Sequence, residues 1–353
     1  MFKYALAAIF SALIVVTTAP AAQAAPQKHT ASSKKHTVKH TAAKGGRGKV
    51  KVVASSRPRT GKVIINVRGK RVVSYRPMRS ANFVAIPRSA GDVAGLNLTP
   101  DQVGLASNVA FVLDQTSSEV LFEKNANVAL PIASITKLMT GLVVVQAQQD
   151  MHEMLSITEG DIDHEKHTGS RLNVGARMSR GDLLHIALMS SENRAASALG
   201  RNYPGGISAF VEAMNAKARQ LGMADTRYVD ANGLSSRNVA SARDLAKLAV
   251  AAYQEPLLRE YSTDPKYQVD AGGRLMHYSN TNYLVASPDW DIGLQKTGFI
   301  NEAGRCLVMQ AMIQGRAVIM VFLDSKGKQS RTADAGRMRR WLEQLQLRAP
   351  GLG

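Results

Sequence analysis

Apolar residues crowd two short runs, Asn108 to Asp114 and Glu119 to Lys124, separated by the polar stretch Gln115-Thr116-Ser117-Ser118. That spacing predicts an antiparallel hairpin. An unbroken apolar face then runs from Ser134 to Gln149, followed by helical patterns over Arg180 to Met189, Ile207 to Leu221 and Ala242 to Tyr253. Ser241 with Asp244 predicts a capping-box-like start for the last of these. Three further strands are predicted over Ile292 to Lys296, Arg305 to Ile313 and Ala317 to Leu323, with Gln314-Gly315 as the tight turn between the last two. Met338, Trp341, Leu342 and Leu345 recur at helical spacing in a closing helix from Thr332 to Leu347. Two strands at the start, helices in the middle and three strands at the end predict one five-stranded antiparallel sheet interrupted by a helical insertion, an α+β fold.

The first quarter of the chain follows other rules. Lys3, the apolar run Ala5 to Val16 and the small residues Ala22-Gln23-Ala24 predict an export signal over residues 1–24. The run is too short to span a bilayer. From Pro26 to Gly61 the composition is dominated by Lys, His, Thr, Ser, Ala and Gly with almost no large apolar residues, and cannot bury enough apolar surface to offset the entropy of ordering. Residues 25–90 are therefore expected to be a basic, mostly disordered tether carrying one possible hairpin over 62–75. A folded domain over 91–348 and a tail over 349–353 complete the expected organisation.

Charge sharpens this division. The formal net charge of +18 suggests a nucleic-acid binder until it is mapped. Eighteen of the 45 Lys and Arg residues precede Asp92, the first acidic residue, leaving 27 basic against 27 acidic side chains in the rest. The tether lacks the interleaved aromatics that stack on bases, and an exported protein meets little nucleic acid. The expected partner of the tether is an anionic envelope surface, with a plain solubilising linker as the alternative.

One cysteine, Cys306, leaves the fold without an internal disulfide, and its apolar run Cys306-Leu307-Val308-Met309 predicts a buried, inert thiol. His164 and His167, beside Asp161 and Asp163, lack the spacing of a zinc peptidase and read as a solvated polar loop. No metal site is assigned.

The remaining signal is nucleophilic. A serine hydroxyl needs a base within hydrogen-bond reach and donors for an oxyanion. In Ser134-Ile135-Thr136-Lys137 the hydroxyl and an amine lie one helical turn apart, and Leu138, Met139, Leu142 and Val143 would depress the lysine pKa enough for it to act as base. Alone, this motif is noise, because Ser32 to Lys35 and Ser325 to Lys328 share its spacing. Ser191-Glu192-Asn193 likewise competes with Ser80-Ala81-Asn82 and Ser236-Arg237-Asn238. Lys296-Thr297-Gly298 occurs once, and the ordered set of three carries the weight.

On these motifs the chain resembles the low-molecular-mass penicillin-binding proteins, the D-alanyl-D-alanine peptidases, from about Val109 to Leu347. The resemblance implies a β-lactamase/transpeptidase-like fold with a helical subdomain. It also implies that Ser134 is acylated, that Lys137 takes its proton, and that Ser191 and Asn193 relay protons and hold substrate. Lys296 and Thr297 would bind the terminal D-alanine carboxylate, the amides of Ser134 and Phe299 would form the oxyanion hole, and Gly298 would let substrate lie close to the strand. Peptidoglycan peptides would be the substrates and β-lactam antibiotics covalent inhibitors, with no cofactor, in the periplasm or outside the cell.

Within the family, the runs Met214-Asn215-Ala216-Lys217-Ala218 and Ala303-Gly304-Arg305-Cys306-Leu307-Val308-Met309 are similar to the endopeptidases of the penicillin-binding protein 7 type, which cleave crosslinks. Ending at Gly353 fits that anchorless subgroup. The alternatives are a carboxypeptidase trimming pentapeptides, a β-lactamase, for which no Glu-x-x-Leu-Asn run exists between Asn193 and Lys296, and a non-catalytic wall-binding module.

Overall fold

The computed structural model describes residues 62–67, 70–75 and 88–348. The export segment, most of the tether and the tail lie outside the described residues. The predicted hairpin forms: Lys62–Val67 pairs antiparallel with Lys70–Tyr75, placing Ile64 opposite Val73.

In the larger unit, the five expected strands make one antiparallel sheet. They are β1 (Ser107–Asp114), β2 (Val120–Lys124), β3 (Asp291–Ile300), β4 (Gly304–Ile313) and β5 (Arg316–Ser325), in spatial order β3-β4-β5-β1-β2. Strands from the two ends of the sequence therefore meet at the centre, with Phe111 of β1 opposite Val321 of β5. Gln314 and Gly315, at φ 48° and 78°, form the left-handed pair that a two-residue hairpin turn requires.

Both sheet faces are covered, which explains strands that read as continuous apolar runs. Val109, Phe111, Val308, Ile319 and Val321 face the helical side, while the intervening Ala110, Val112, Leu307, Met309, Met320 and Phe322 face the closing helix. The helices are α1 (Thr136–Gln146), α2 (Arg180–Met189), α3 (Asn193–Arg201), α4 (Gly206–Gln220), α5 (Ala242–Tyr253), α6 (Pro256–Thr263) and α7 (Ser330–Arg348). Helix α7 packs Met338 and Leu342 under the sheet, and its buried Asp334 ties it to the start of β1. That carboxylate accepts from the N–H groups of Ala106 (3.0 Å) and Ser107 (2.8 Å) and from Ser107 Oγ (2.5 Å). Among the described residues, no helix is long and apolar enough to cross a membrane.

Four expectations change. The apolar helix does not start at Ser134: a 3-10 turn over Ala133–Ile135 precedes α1, and the helix stops at Gln146, just before Gln148 turns left-handed at φ 52°. Helices α3 and α6 went unforeseen because, at nine and eight residues, each is too short for its amphipathic pattern to stand out over a sequence window. Ser241 caps α5 by accepting from the Asp244 N–H, but the reciprocal half of the box is absent: Asp244 instead accepts from Asp225 N and Thr226 Oγ1. Lys296-Thr297-Gly298 lies inside β3 and does not end it, since pairing continues to Ile300 opposite Gly304. Strand β3 is one edge of the sheet, and the 3-10 turn carrying Ser134 packs directly against it.

Candidate active site

The turn that carries Ser134 is held from three sides. Leu130–Pro131 pairs with Val239–Ala240, Ile132 N–H donates to Asn238 O (3.1 Å), and Thr136 Oγ1 donates to Ala133 O (2.8 Å). Ala133 sits at φ 49°, a strained value for a residue with a Cβ, so the backbone is bent sharply just before Ser134. Ser134 remains partly exposed, whereas Lys137, one turn further, is fully buried.

Lys137 Nζ donates to Ser134 Oγ at 2.8 Å, to Asn193 Oδ1 at 2.7 Å and to the Asn232 carbonyl at 2.5 Å. Burial lowers its pKa to about 7, against a partial opposing pull from Asp230 and Glu192. As a neutral amine, Lys137 keeps two hydrogens for the two carbonyl oxygens and turns its lone pair to the serine hydroxyl. This is the arrangement of a base poised on a nucleophile.

Asn232 was not foreseen, although the Asn232-Gly233 step is a turn signal. The Asp230 carboxylate accepts from the amides of Asn232 (3.0 Å), Gly233 (2.6 Å) and Ser235 (3.0 Å), fixing the turn that presents the Asn232 carbonyl. A Cβ on Gly233 would stand 2.0 Å from Ala133 O, so the turn is pressed onto the backbone of Ala133 and Ser134.

Ser191 occupies the left-handed step (φ 64°) between α2 and α3, and Asn193 is the first residue of α3. The preceding Glu192 caps that helix, accepting from the Arg194 N–H at 3.2 Å and from Ser170 Oγ at 2.7 Å. Lys296 Nζ reaches across to Ser191 Oγ at 2.9 Å and to the Thr297 carbonyl at 2.9 Å. Its amine is held well below the ordinary lysine range, first by burial and then by repulsion from Lys137 and Arg331. Thr297 Oγ1 lies 2.6 Å from Thr281 Oγ1, whose backbone N–H donates to Met189 O at the end of α2 (3.0 Å).

Gly298 has a reason beyond the one expected of it. A Cβ there would sit 2.9 Å from Ile132 O and 3.1 Å from Ser134 N, so the bare α-carbon is what lets β3 and the nucleophile turn cross. Phe299 turns its ring outward, 49% exposed, under the Arg305 guanidinium. Behind the edge, Arg331 Nη1 donates to the Gly298 carbonyl at 2.7 Å, a contact no sequence motif announces.

The sequence decoys fall elsewhere. Ser325 is buried beside Asp334, and Asn238 is spent holding the Val229 and Asp230 amides. Ser80-Ala81-Asn82 and Ser32 to Lys35 lie outside the described residues. Asp163 organises the His164–His167 loop by accepting from the amides of Glu165, Lys166 and Thr168. Cys306 is fully buried opposite Gly298, with its thiol pushed up to about 12 by burial.

Comparison with known proteins agrees with this geometry. Residues 97–327 match the D-alanyl-D-alanine carboxypeptidase family. A D-alanyl-D-alanine endopeptidase of Pseudomonas aeruginosa is 48% identical over 267 residues, covering 75% of this chain and 85% of the relative. The D-alanyl-D-alanine endopeptidase of Escherichia coli is 43% identical, with 74% of this chain and 86% of that protein covered. Among solved structures, a Streptomyces DD-transpeptidase superposes with a TM-score of 0.63 at 26% identity, over 69% of this chain and 98% of its own. A Listeria monocytogenes penicillin-binding protein in its cefotaxime-bound form gives 0.61 at 29%, over the same shares.

Proposed function

The chain belongs to the D-alanyl-D-alanine carboxypeptidase family, and from that premise we propose that it cleaves D-alanyl crosslinks of peptidoglycan through an acyl-enzyme on Ser134. It is a serine D-Ala-D-Ala peptidase of the cell wall. The observation that carries the catalytic assignment is the buried Lys137 amine, 2.8 Å from Ser134 Oγ with its other two partners both carbonyl oxygens.

Neutral Lys137 takes the hydroxyl proton as Ser134 Oγ attacks the carbonyl carbon of the D-alanine whose amide bond to the neighbouring peptide's amine forms the crosslink. The tetrahedral oxyanion faces the amides of Ser134 and Phe299. Collapse breaks the C–N bond, and the departing amine takes a proton delivered through Lys137 and the Ser191–Lys296 pair. Water then attacks the ester and restores the serine. Lys296 and Thr297 bind the carboxylate on the leaving side of the scissile bond, and Asn193 holds the acyl peptide. A β-lactam follows the same first steps and stays attached.

Endopeptidase action is favoured over trimming of pentapeptides by the names of the Pseudomonas and Escherichia relatives, 48% and 43% identical to this chain. We also propose export to the periplasm through residues 1–24 and contact of the basic tether with anionic envelope material. Fluorescent penicillin should label the chain one to one and fail on Ser134→Ala, and absence of wild-type labelling would overturn the mechanism. Release of monomers from crosslinked muropeptide dimers, faster than release of D-alanine from pentapeptide monomers, tests the substrate.

A further inference from the structure

Thr168 sits in the exposed loop that follows the 3-10 turn Glu159–Asp161. Two bonds place this loop across the active-site cleft. Asn193 Nδ2 donates to Thr168 Oγ1 at 3.0 Å, and Lys166 Nζ donates to Glu302 Oε1 at 2.6 Å in the turn that follows β3. Within three residues the loop touches both the Ser191–Asn193 wall and the turn that ends the strand carrying Lys296.

The polarity of the Thr168 contact is fixed. A hydroxyl has one hydrogen, and that of Thr168 is committed to Asp163 Oδ2 at 2.7 Å, because a carboxylate can only accept. Toward Asn193 the hydroxyl therefore presents lone pairs, which select the amide nitrogen and reject the oxygen. Lys137, donating at 2.7 Å, selects the oxygen from the other side. The two contacts define the Asn193 orientation together.

The Lys137 contact is not sufficient alone. A neutral amine has a lone pair as well as hydrogens, so an inverted Asn193 could donate to Lys137 and occupy the lone pair that Ser134 needs. We infer that Thr168 is a positioning residue for acylation, keeping the Asn193 oxygen on Lys137 and one amide hydrogen on the cleft. This rests on the acyl-enzyme reading above and adds a residue that none of the three motifs contains. Lys166 and Glu302 hold the loop in place for it.

Stopped-flow acylation of the full chain by a fluorescent penicillin tests the inference. Thr168→Val should acylate about fivefold more slowly, the loss expected of one modest hydrogen bond, while Thr168→Ser, which keeps the hydroxyl, should return to nearly the wild-type rate. In an Asn193→Ala background the same Thr168→Val change should have no further effect, since its influence passes through the missing amide. A Thr168→Val rate equal to wild type would overturn the assignment, as would a fivefold loss that persists without Asn193. Failure of the wild type to label would instead overturn the acyl-enzyme reading.

Discussion

Lys296 Nζ stands 2.9 Å from Ser191 Oγ, so the edge strand and the turn between α2 and α3 are joined by a hydrogen bond between two of the three motifs. Ser191→Ala leaves the buried amine with the Thr297 carbonyl alone. Acylation by penicillin should fall by about a hundredfold, the lower range of what a positioned proton carrier contributes. Stability should drop by about 1–3 kcal/mol for the unmatched buried group. Stopped-flow labelling and thermal melting measure the two effects, and an unchanged acylation rate would remove Ser191 from the proton path.

The lysine base gives a pH signature. With its pKa lowered to about 7 by burial, Lys137 is the free amine above neutrality and the ammonium below. The acylation rate should therefore rise with pH and level off above about 8, and at pH ~5 it should be roughly a hundredfold below the plateau. Asp230 and Glu192 face the amine and favour its protonated form, so Asp230→Asn should shift the midpoint down. A midpoint near that of a free lysine would contradict the assignment.

Glycine positions separate strain from collision. Gly233→Ala imposes a side chain at φ +82° and drives its Cβ to 2.0 Å from Ala133 O. We expect a loss above about 2 kcal/mol together with loss of labelling, because the same turn presents the Asn232 carbonyl to Lys137. Gly175→Ala has a similar φ of +87° but nothing within 4 Å, and should lose only about 1 kcal/mol and keep full labelling. Equal effects of the two changes would show that the collision does not matter.

Asp334→Ala should damage stability and spare chemistry. Removing the buried carboxylate strands the amides of Ala106 and Ser107 at the entry to β1, far in sequence from any motif. A loss of about 2–4 kcal/mol is expected by denaturant titration, with one-to-one labelling retained in the folded fraction.

Much of this was legible in the sequence because its carriers are local. Short continuous apolar runs marked the strands from Asn108 and from Arg305, and three short motifs named Ser134, Lys137, Ser191, Asn193 and Lys296. What escaped depends on contacts distant in sequence. The Asn232 carbonyl is backbone and has no letter of its own, Arg331 reaches Gly298 from another element, and Thr281 meets Thr297 only after the chain folds. The bend at Ala133 was invisible for a related reason: the surrounding turn imposes a conformation that alanine alone would avoid.

The sealed thiol beneath the active-site edge has a practical consequence. Cys306 is the chain's one cysteine, fully buried, and its high pKa leaves almost no thiolate at neutral pH. Maleimide reagents should ignore the native protein, so a cysteine introduced in the loop around Lys166 would be the single attachment point. A fluorophore placed there could report loop movement during turnover without any prior removal of native cysteines.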